Sequence, residues 1–313
     1  MTDLIVNFGG PRDLDEIAPF LIELLTDRDV VRTRLPNFLH KYLFTRIAKK
    51  RALKIRPDYE EIGGKSPIYF DTETLAAELS ALTFHRYLPA THASSLQALE
   101  SCPSEIIRVF PLFPQFSYAT TGSIARFFLN HLSPRTRNKM QWIQSYAAHP
   151  AFTSAYQSRI REFLHAQKIE EEQCAILFSA HGIPQSFVDT GDIYETECYR
   201  SFDAIKAAFP NAICHLSFQS KFGRGEWIKP YTEETCSSLT WTQNRSHVVI
   251  VPISFTSDHI ETLFEVEQLY LPLLRKQGVK AYRCPALNLD WAAAVRDILD
   301  SSSLVKTERL VRK

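Results

Sequence analysis

Short runs of apolar and β-branched residues alternate along the chain with longer segments in which apolar residues recur every three or four positions. This alternation is typical of a parallel β-sheet whose strands are connected by helices. Several of the short runs are apolar almost throughout, which indicates strands buried on both faces of the sheet. The predicted strands span residues 4–8, 106–112, 175–179, 212–218 and 247–255.

The longer segments have the period of amphipathic helices. In the segment 37–50, Phe38, Tyr42 and Ile47 recur at helical spacing, and Asn37 stands where an N-cap would be. We expect these three apolar side chains to pack the helix onto the core. The predicted helices span residues 13–25, 37–50, 72–82, 121–132, 151–166, 195–208 and 258–274.

The helix at 37–50 also has a second interpretation, because it is basic as well as amphipathic. Lys41, Lys49, Lys50 and Arg51 give it the cationic face of a helix that lies on an anionic membrane. A surface helix packed on the core is the favoured interpretation. Weak peripheral membrane association stays open as the alternative.

The length of 313 residues predicts two domains, each large enough to bury its own core. A polar stretch at 134–139 and Pro150 indicate a change of domain near residue 140. We expect residues 1–140 together with a C-terminal helix over 290–313 to form the first domain. Residues 141–289 then form the second domain, which carries the candidate metal-site residues.

The charge balance excludes a general electrostatic attraction to nucleic acid. The chain has 36 Lys and Arg against 35 Asp and Glu, so its formal net charge is +1. An acidic ligand must therefore be bound by local groups. We expect no nucleic-acid partner.

The cysteines predict a reducing compartment. They are scattered, no CxxC pair occurs, and no strong zinc or cluster motif is present. The N-terminal residues lack the basic region of a secretory signal, and no stretch is apolar for the roughly 18 residues that a membrane span needs. We therefore expect a cytoplasmic protein. The cysteines are Cys102, Cys174, Cys198, Cys214, Cys236 and Cys284.

A dinucleotide-binding fingerprint is missing despite the predicted sheet. It requires three glycines in G-x-G-x-x-G between a strand and a helix, and the segment 223–228 reads Gly-Arg-Gly-Glu-Trp-Ile with only two. No Walker lysine motif occurs either. The sequence predicts a Rossmann-like fold without the usual nucleotide cofactor.

Two short segments place reactive side chains where an apolar run ends. His181 follows the run at 175–179, Gly182 permits a sharp turn, and Pro184 stops the strand. Open α/β sheets carry their ligand sites at such strand ends. A neutral imidazole there can bind a divalent metal or accept a proton, but a hydrogen-bonded structural histidine is equally compatible with these local features.

The second segment brings Asp258, His259, Glu261 and Glu265 close together in sequence. Glu261 and Glu265 are four residues apart and share one helix face, so they can form a row of carboxylates. The alternative is a capping box, with Asp258 as N-cap and Glu261 as the third helical residue. The residues alone leave both interpretations open.

An ordered set of motifs across nearly the whole chain resembles the ferrochelatase family. The set begins with Leu-Ile-Val-Asn-Phe-Gly-Gly-Pro at 4–11 and a helix that ends in Leu-Leu-Thr-Asp-Arg-Asp-Val at 24–30. One such motif is weak evidence, but the ordered set is specific. The others are Ile-Gly-Gly-Lys-Ser-Pro-Ile at 62–68, Arg-Tyr at 86–87, Phe-Pro-Gln-Phe-Ser at 113–117, Ser-Ala-His-Gly-Ile-Pro at 179–184, Gln-Ser at 219–220 and Ser-Asp-His-Ile-Glu-Thr-Leu at 257–263.

The resemblance implies an α/β fold of chelatase type. Two Rossmann-like domains, each a parallel β-sheet flanked by helices, would then have the active cleft between them. It also implies a lyase that inserts Fe²⁺ into protoporphyrin IX to form protohaem, the terminal step of haem biosynthesis. Protoporphyrin IX and Fe²⁺ are the implied substrates, and no further cofactor is required.

The resemblance also implies roles for individual residues. His181 and Glu261 would face each other across the porphyrin as iron ligands, since Fe²⁺ accepts imidazole and carboxylate groups. His181 would act as the base that removes a pyrrole proton, and His259 and Glu265 would extend Glu261 into a proton relay. The implied porphyrin-binding residues are Phe8, Ile62, Tyr69, Arg86, Phe116, Ser117, Tyr118 and Trp227.

Three departures from the family pattern are present. Ile193 stands in a Gly-Asp-Pro-Tyr motif, Lys65 replaces a small residue, and Leu269 replaces a carboxylate that often follows Glu265. The first two are expected to alter loop shape only. The third shortens the implied relay.

The choice of substrate is weakly indicated by Phe8. Relatives that use coproporphyrin tend to carry tyrosine there, whereas protoporphyrin users carry an apolar side chain. A coproporphyrin III ferrochelatase, a cobalt-inserting tetrapyrrole chelatase and a non-enzymatic tetrapyrrole or metal carrier are the alternatives. Cys284 is the last cysteine, so we expect no iron–sulfur cluster, and we expect a monomer.

Overall fold

Two β-sheets organise the chain, one in each of two structural units. The computed structural model of the protein describes residues 1–223 and 225–312. Unit 1 consists of Met1–Ser145 and the segment that starts at Leu299, and unit 2 consists of Tyr146–Ile298. The strands of the described residues are β1 Thr2–Asn7, β2 Leu82–His85, β3 Ile107–Pro111, β4 Met140–Ile143, β5 Cys174–His181, β6 Ile213–Gln219, β7 His247–Pro252, β8 Lys280–Arg283 and β9 Leu304–Val305.

Helices connect most of these strands. The α-helices are α1 Ile17–Thr26, α2 Asn37–Glu61, α3 Pro67–Leu79, α4 Pro89–Glu100, α5 Ser123–His131, α6 Pro134–Lys139, α7 Pro150–Gln167, α8 Gln185–Asp189, α9 Tyr194–Lys206, α10 Thr232–Cys236, α11 Leu271–Arg275 and α12 Ala292–Ser301. Two further segments, Tyr118–Gly122 and Glu261–Tyr270, are π-helical. Short 3₁₀ turns lie at Leu14–Glu16, Glu171–Gln173, Thr240–Thr242 and Thr307–Arg309.

The sheet of unit 1 has the strand order β2-β1-β3-β4-β9. β1 to β4 run parallel, and β9 is antiparallel to β4. Leu4 and Val6 of β1 are fully buried and belong to a core cluster with Phe84, Val109 and Trp142. Burial on both faces explains why residues 4–6 of β1 and 109–111 of β3 are apolar without alternation.

The sheet of unit 2 has the strand order β6-β5-β7-β8, and all its strands are parallel. β5 is buried from Cys174 to Ala180, and His181 is its first partly exposed residue. His181 pairs in register with Gln219, the last residue of β6. The carboxyl ends of neighbouring strands therefore bring polar side chains to one edge of the sheet.

The predicted α/β class with mainly parallel sheets is confirmed, and each predicted strand coincides with an observed one. The strands β2, β4, β8 and β9 were not predicted. They are two to four residues long, too short for a clear apolar pattern.

The predicted C-terminal helix over 290–313 is wrong. α12 ends at Ser301, and the chain then forms β9 and a 3₁₀ turn. Three consecutive serines at 301–303 favour this end, because serine hydroxyls compete for backbone hydrogen bonds that a helix would use.

The predicted packing of α2 is also wrong. Phe38 is 72% exposed, Tyr42 61% and Ile47 41%. The buried face of α2 instead carries His40, Ala48, Ala52 and Tyr59, and it packs against α1. Ala48 and Ala52 are small side chains that permit close packing on this buried face, and the large apolar side chains Phe38, Tyr42 and Ile47 are exposed.

Two details of α2 differ further from the prediction. The N-cap is Pro36 and not Asn37, and the helix continues beyond residue 50, through Pro57, to Glu61. Within the described ranges, no helix combines the length and the apolar character needed to cross a membrane.

Candidate active site

His181 projects from the carboxyl end of β5 at a sharp turn. Its backbone N–H donates to Ser254 Oγ at 2.8 Å, and the next N–H, that of Gly182, donates to the Gln219 carbonyl at 2.8 Å. A Cβ atom on Gly182 would lie 2.9 Å from that carbonyl oxygen and 3.2 Å from Trp227 Cε3. Only glycine therefore lets the backbone come this close to β6.

The hydrogen bonds of His181 define its tautomer. Nδ1 lies 2.5 Å from the Gly182 carbonyl oxygen, which can only accept, so Nδ1 carries the proton. Nε2 then presents its lone pair to Glu261, with 3.7 Å between Nε2 and Oε1. That separation is longer than a hydrogen bond. Both side chains are partly exposed, so in the neutral form of His181 the Nε2 lone pair and a carboxylate oxygen of Glu261 are both accessible.

His259 supports Glu261 from the other side. Its Nδ1 lies 3.1 Å from the Ser257 carbonyl, so that nitrogen is a donor, and its Nε2 lies 3.3 Å from Glu261 Oε2. Burial lowers the pKa of His259, but the hydrogen bond to Glu261, the charge of Glu261 and the Ser257 carbonyl outweigh it and raise the pKa overall. A cationic His259 stabilises the carboxylate form of Glu261.

The capping-box interpretation of Glu261 is wrong. The π-helical segment begins at Glu261, with Ile260 as its N-cap. Asp258 Oδ1 accepts hydrogen bonds from Thr262 Oγ1 at 2.8 Å and from Arg283 Nη1 at 2.7 Å. Asp258 therefore holds this turn through side chains, and the Glu261 carboxylate points to His181 and His259. π-Helical segments are rare and often mark functional sites.

Glu265 lies one turn further along the π-helical segment. Its Oε2 accepts a hydrogen bond from Ser220 Oγ at 2.6 Å, and the Ser220 N–H donates to Tyr270 Oη at 3.1 Å. Ser220 has a left-handed backbone with φ +63°, which is uncommon outside glycine. Ser220 and Tyr270 also line a pocket of about 120 Å³ with Lys221, Glu233 and Glu234. The carboxylate of Glu265 is thus linked through Ser220 to a small polar pocket.

The metal-binding potential of this site is limited to few groups. Among residues 1–223 and 225–312, no group of three His, Cys, Asp or Glu side chains is arranged to hold a metal ion. His181 and Glu261 form a two-residue donor set, which suits brief contact with a cation better than storage.

Trp227 is the predicted porphyrin-binding residue that lies near His181. It is buried, and its ring centroid is 6.4 Å from that of His181 and 5.3 Å from that of Phe222. The structure therefore brings together His181, His259, Glu261 and Trp227 within unit 2. Their roles stay predictions.

The other predicted porphyrin-binding residues belong to unit 1. Phe8 packs its ring 4.9 Å from Tyr87 and 4.7 Å from Phe113. Tyr69 lies 4.7 Å from His85, whose Nε2 is within hydrogen-bond distance, 2.7 Å, of Glu73 Oε1. The rings of Phe8 and Tyr69 are only partly buried, as side chains that bind a flat apolar ligand should be.

The remaining candidates of unit 1 have structural partners. Phe116 is buried in the core cluster, and Tyr118 packs against it at 5.2 Å. Ser117 Oγ accepts from the Ala119 N–H and caps the first π-helical segment. Ile62 is the C-cap of α2 and is partly buried. For these residues, porphyrin contact stays a prediction.

Arg86 is the candidate whose surroundings most favour a structural role. It is buried, its Nη2 lies 2.8 Å from Asp27 Oδ2, and its Nε donates to Ser123 Oγ at 3.1 Å. Tyr87 donates its hydroxyl to the same Asp27 oxygen at 3.1 Å. These contacts hold the Nε and Nη2 side of the guanidinium, whereas Nη1 is buried without a hydrogen-bond partner among the described residues, 3.8 Å from Glu23 Oε2, so porphyrin contact by Arg86 stays a prediction.

Two residues of the site were not among the predicted site residues. Ser254 and Gln219 contact the backbone of His181 and Gly182, and both are buried. Their contacts depend on strand pairing between segments that are far apart in sequence. The Gln-Ser pair at the end of the predicted strand 212–218 is the signal that identifies Gln219.

Comparisons with known proteins agree with this picture. A family model described as Ferrochelatase matches residues 4–302. A protein of Chlamydia pneumoniae named Ferrochelatase is 44% identical over 99% of this chain and 95% of its own length. Another so named, from Chlamydia trachomatis serovar A, is 46% identical over 96% of each chain. The solved structure of CbiX, described as the terminal enzyme for siroheme biosynthesis in denitrifying bacteria, superposes with a TM-score of 0.53 at 14% identity, over 96% of this chain and 99% of that chain.

Proposed function

The chain belongs to the ferrochelatase family, and from this premise we propose that its reaction is the insertion of Fe²⁺ into protoporphyrin IX. Members of the family are metal-inserting lyases of haem biosynthesis, and this chain is one of them. The observation that carries the proposal is the pair formed by His181 Nε2 and Glu261 Oε1 at 3.7 Å. Both the porphyrin and the iron are substrates, so no resident metal is required.

His181 serves as iron ligand and as base in this proposal. Because the Gly182 carbonyl holds a proton on Nδ1, the neutral imidazole has its lone pair on Nε2, where it can serve either task. A free-base porphyrin loses two pyrrole protons when Fe²⁺ enters, so a nitrogen base beside the macrocycle is needed. Proton transfer by a positioned side chain typically contributes about 100- to 10,000-fold to a rate.

Glu261 serves as the opposing carboxylate, and His259 keeps it ionised. Burial lowers the pKa of His259, but the hydrogen bond to Glu261 outweighs it and raises the pKa overall, so a proton on His259 and a negative charge on Glu261 Oε2, 3.3 Å away, stabilise each other. A carboxylate in this state attracts Fe²⁺ and accepts a proton once the iron has left. Glu265 and Ser220 then offer the next acceptor and donor towards the pocket beside Tyr270.

The preference for protoporphyrin IX is supported by Phe8. Its ring packs between Tyr87 and Phe113 and offers no oxygen ligand to a metal. Coproporphyrin III and cobalt insertion are the competing substrates, and a carrier would bind the tetrapyrrole without turnover. One assay separates all of these outcomes.

The assay is anaerobic incubation of the purified protein with Fe²⁺ or Co²⁺ and either protoporphyrin IX or coproporphyrin III, followed by absorbance. We expect the fastest formation of metalloporphyrin with Fe²⁺ and protoporphyrin IX. His181→Ala should lower kcat by at least about 100-fold, and Glu261→Gln should lower it severely. Binding of porphyrin without turnover by the unsubstituted protein would refute the proposal.

Two matched variants control for unspecific damage. His247→Ala removes a histidine from the start of β7, at the opposite end of the same sheet. Glu267→Gln removes a carboxylate from the same π-helical segment, where Glu267 pairs with Arg283 at 3.1 Å. Both controls should retain kcat within about twofold. An equal loss of kcat in Glu267→Gln and Glu261→Gln would show that Glu261 has no special role.

Peripheral membrane association is part of the proposal, and the outward face of α2 supports it. Phe38 and Tyr42 are strongly exposed, and Leu53 is 78% exposed on the same helix. Lys49 and Lys50 are exposed beside them. Apolar side chains flanked by cationic groups fit an anionic bilayer surface.

Vesicle sedimentation tests the membrane proposal. We expect low-salt binding to vesicles that contain phosphatidylserine and weaker binding to pure phosphatidylcholine. The Phe38→Ser/Tyr42→Ser double variant should lose this binding, whereas Ile106→Ser, which removes a 42% exposed apolar side chain elsewhere, should keep it. Equal binding by all three proteins would refute the role of α2.

A reducing, cytoplasmic location is also proposed. All six cysteines are free, and five of them are buried. Thiols that stay unpaired are typical of proteins kept in a reducing compartment. The monomeric state stays a prediction, which analytical ultracentrifugation would test.

A further inference from the structure

Gln219 is a buried residue that lies beside the pair formed by His181 and Glu261. It is the last residue of β6, it is 1% exposed, and it pairs in register with His181. Its carbonyl oxygen accepts the Gly182 N–H at 2.8 Å. The backbone of Gln219 therefore holds the turn that projects His181.

The side-chain amide of Gln219 reaches the opposite side of the pair. Its Nε2 donates to the Glu261 carbonyl at 3.1 Å, and its Oε1 accepts from Ser179 Oγ at 2.7 Å. A backbone carbonyl can only accept, so the amide orientation is fixed. Gln219 thus connects the end of β5 with the first residue of the π-helical segment.

A chain of buried hydroxyls supports this amide. Ser179 uses its single proton on Gln219, so the 3.1 Å contact between Thr232 Oγ1 and Ser179 Oγ requires Thr232 as donor. Ser217, 2.8 Å from Thr232, must then donate to Thr232. The hydrogen bonds therefore run in one direction, from Ser217 through Thr232 and Ser179 to Gln219. All of these side chains are buried, where such networks hold their members firmly.

We infer that Gln219 is a positioning residue that sets the separation between His181 and Glu261. This inference rests on the proposed function of the pair, and it gives Gln219 a task of its own. The His181 backbone is held through Gly182, and the Glu261 backbone is held through its carbonyl. Partners that orient metal-contacting side chains are typically worth about 10- to 100-fold in affinity or activity.

The chemistry of the site requires glutamine at this position. One side chain must accept from Ser179 and donate to Glu261, which an amide does with its two ends. An ionised glutamate can only accept, so it would leave the Glu261 carbonyl without its donor. Methionine has a similar length but supplies neither bond.

The primary test compares Gln219→Met with Gln157→Met. Gln157 donates to the Ala204 carbonyl at 3.1 Å in the same unit, so it is a matched glutamine outside the site. We expect Gln219→Met to lower kcat by about 10- to 100-fold and to raise KM for Fe²⁺, with KM for protoporphyrin IX changed less than twofold. Gln157→Met should leave all three parameters unchanged.

A purely structural role predicts a different result. Gln219→Met would then lower the folded fraction while both KM values of the remaining enzyme stayed at those of the unsubstituted protein. That pattern would overturn the inference, as would an unchanged kcat. If Gln219→Met does not fold, Thr232→Val takes its place in the test. This variant keeps the side-chain shape and removes one hydroxyl, and we expect it to lower kcat by less than the fall predicted for Gln219→Met.

Coupling between the residues provides a second criterion. Because Ser179 acts only through Gln219, Ser179→Ala combined with Gln219→Met should be no worse in kcat than Gln219→Met alone. Additive losses of kcat from the two substitutions would show that Ser179 acts independently of Gln219, and would refute the directed chain of hydrogen bonds. Calorimetric titration with Co²⁺ measures cation binding by His181 and Glu261 without turnover. Gln219→Met should weaken the affinity for Co²⁺ at least 10-fold. Unchanged Co²⁺ affinity refutes the inference, whereas an inactive unsubstituted protein refutes only the proposed function.

Discussion

Gly182→Ala tests how precisely the turn after β5 must be built. The added Cβ would lie 2.9 Å from the Gln219 carbonyl oxygen and 3.2 Å from Trp227 Cε3. Neither neighbour is the free end of a flexible side chain, because one is backbone and the other is an atom of a buried ring. The backbone of residues 181–183 must therefore move away from β6, and His181 moves with it.

The magnitude follows from the size of the clash. Relief requires a shift of a few tenths of an ångström, and overpacking of this kind costs about 1 to 3 kcal/mol. For a unit of this size, that corresponds to a fall of roughly 2 to 12 °C in Tm. A 1 Å misplacement of a reacting group can cost about 100-fold in rate, so we expect a fall in kcat of about 10-fold.

Gly278→Ala is the matched control for this experiment. Gly278 has φ +85°, and no atom lies within 4 Å of its added Cβ, so the cost there is backbone strain of about 1 to 2 kcal/mol without a clash. Both variants should lose stability in thermal melts, but only Gly182→Ala should lose kcat in the metal-insertion assay. Wild-type kcat in Gly182→Ala, or an equal loss in Gly278→Ala, would refute the reasoning.

Three further predictions concern other parts of the protein. The hydrogen bond from His85 lowers the pKa of Glu73. The Glu73 carboxylate therefore stabilises the fold above pH about 4.3, and this contribution is lost as the pH falls through the lowered pKa. Because Glu73→Gln lacks the contribution, its free energy of unfolding in urea titrations should fall less steeply below pH 5 than that of the unsubstituted protein. The Tyr156 hydroxyl lies within 2.8 Å of the carbonyls of Pro252, the last residue of β7, and of Phe255, so Tyr156→Phe should reduce the free energy of unfolding by about 1 to 3 kcal/mol. Burial raises the pKa of the Cys174 thiol to about 12, so this thiol should react with Ellman's reagent only after denaturation, and rapid reaction of the native protein would contradict that assignment.

The sequence predicts the central strands because burial dictates their composition. The apolar runs at 4–6 of β1, 174–178 of β5 and 248–251 of β7 are buried, and such short continuous runs are typical of strands covered on both faces of a sheet. The short edge strands β2 and β8 have no such pattern, because partners elsewhere in the chain define them. The outward face of α2 was mistaken for its core face, since helical spacing shows that a face exists but not which neighbour covers it.

The site is predictable as far as its chemistry is local. His181 and Glu261 stand beside strand and helix boundaries, where sequence patterns are informative. Whether the Glu261 carboxylate caps the helix or faces His181 is not determined by its neighbours in sequence. It depends on Thr262 and Arg283 taking the Asp258 carboxylate, and on strand pairing that places Gln219 behind the pair.

The pairing of β9 with β4 has a consequence for biosynthesis. Trp142 donates its indole N–H at 3.0 Å to the hydroxyl of Thr307, which lies 165 positions later in the sequence, and β9 closes the sheet beside β4. A ribosome that adds about 5 to 20 residues per second reaches β9 roughly 8 to 30 s after β4. During that interval the edge of β4 lacks its partner and is a template for wrong pairing. Unit 2, although it starts later, has its full sequence first, and unit 1 is completed only when the segment that starts at Leu299 has been synthesised.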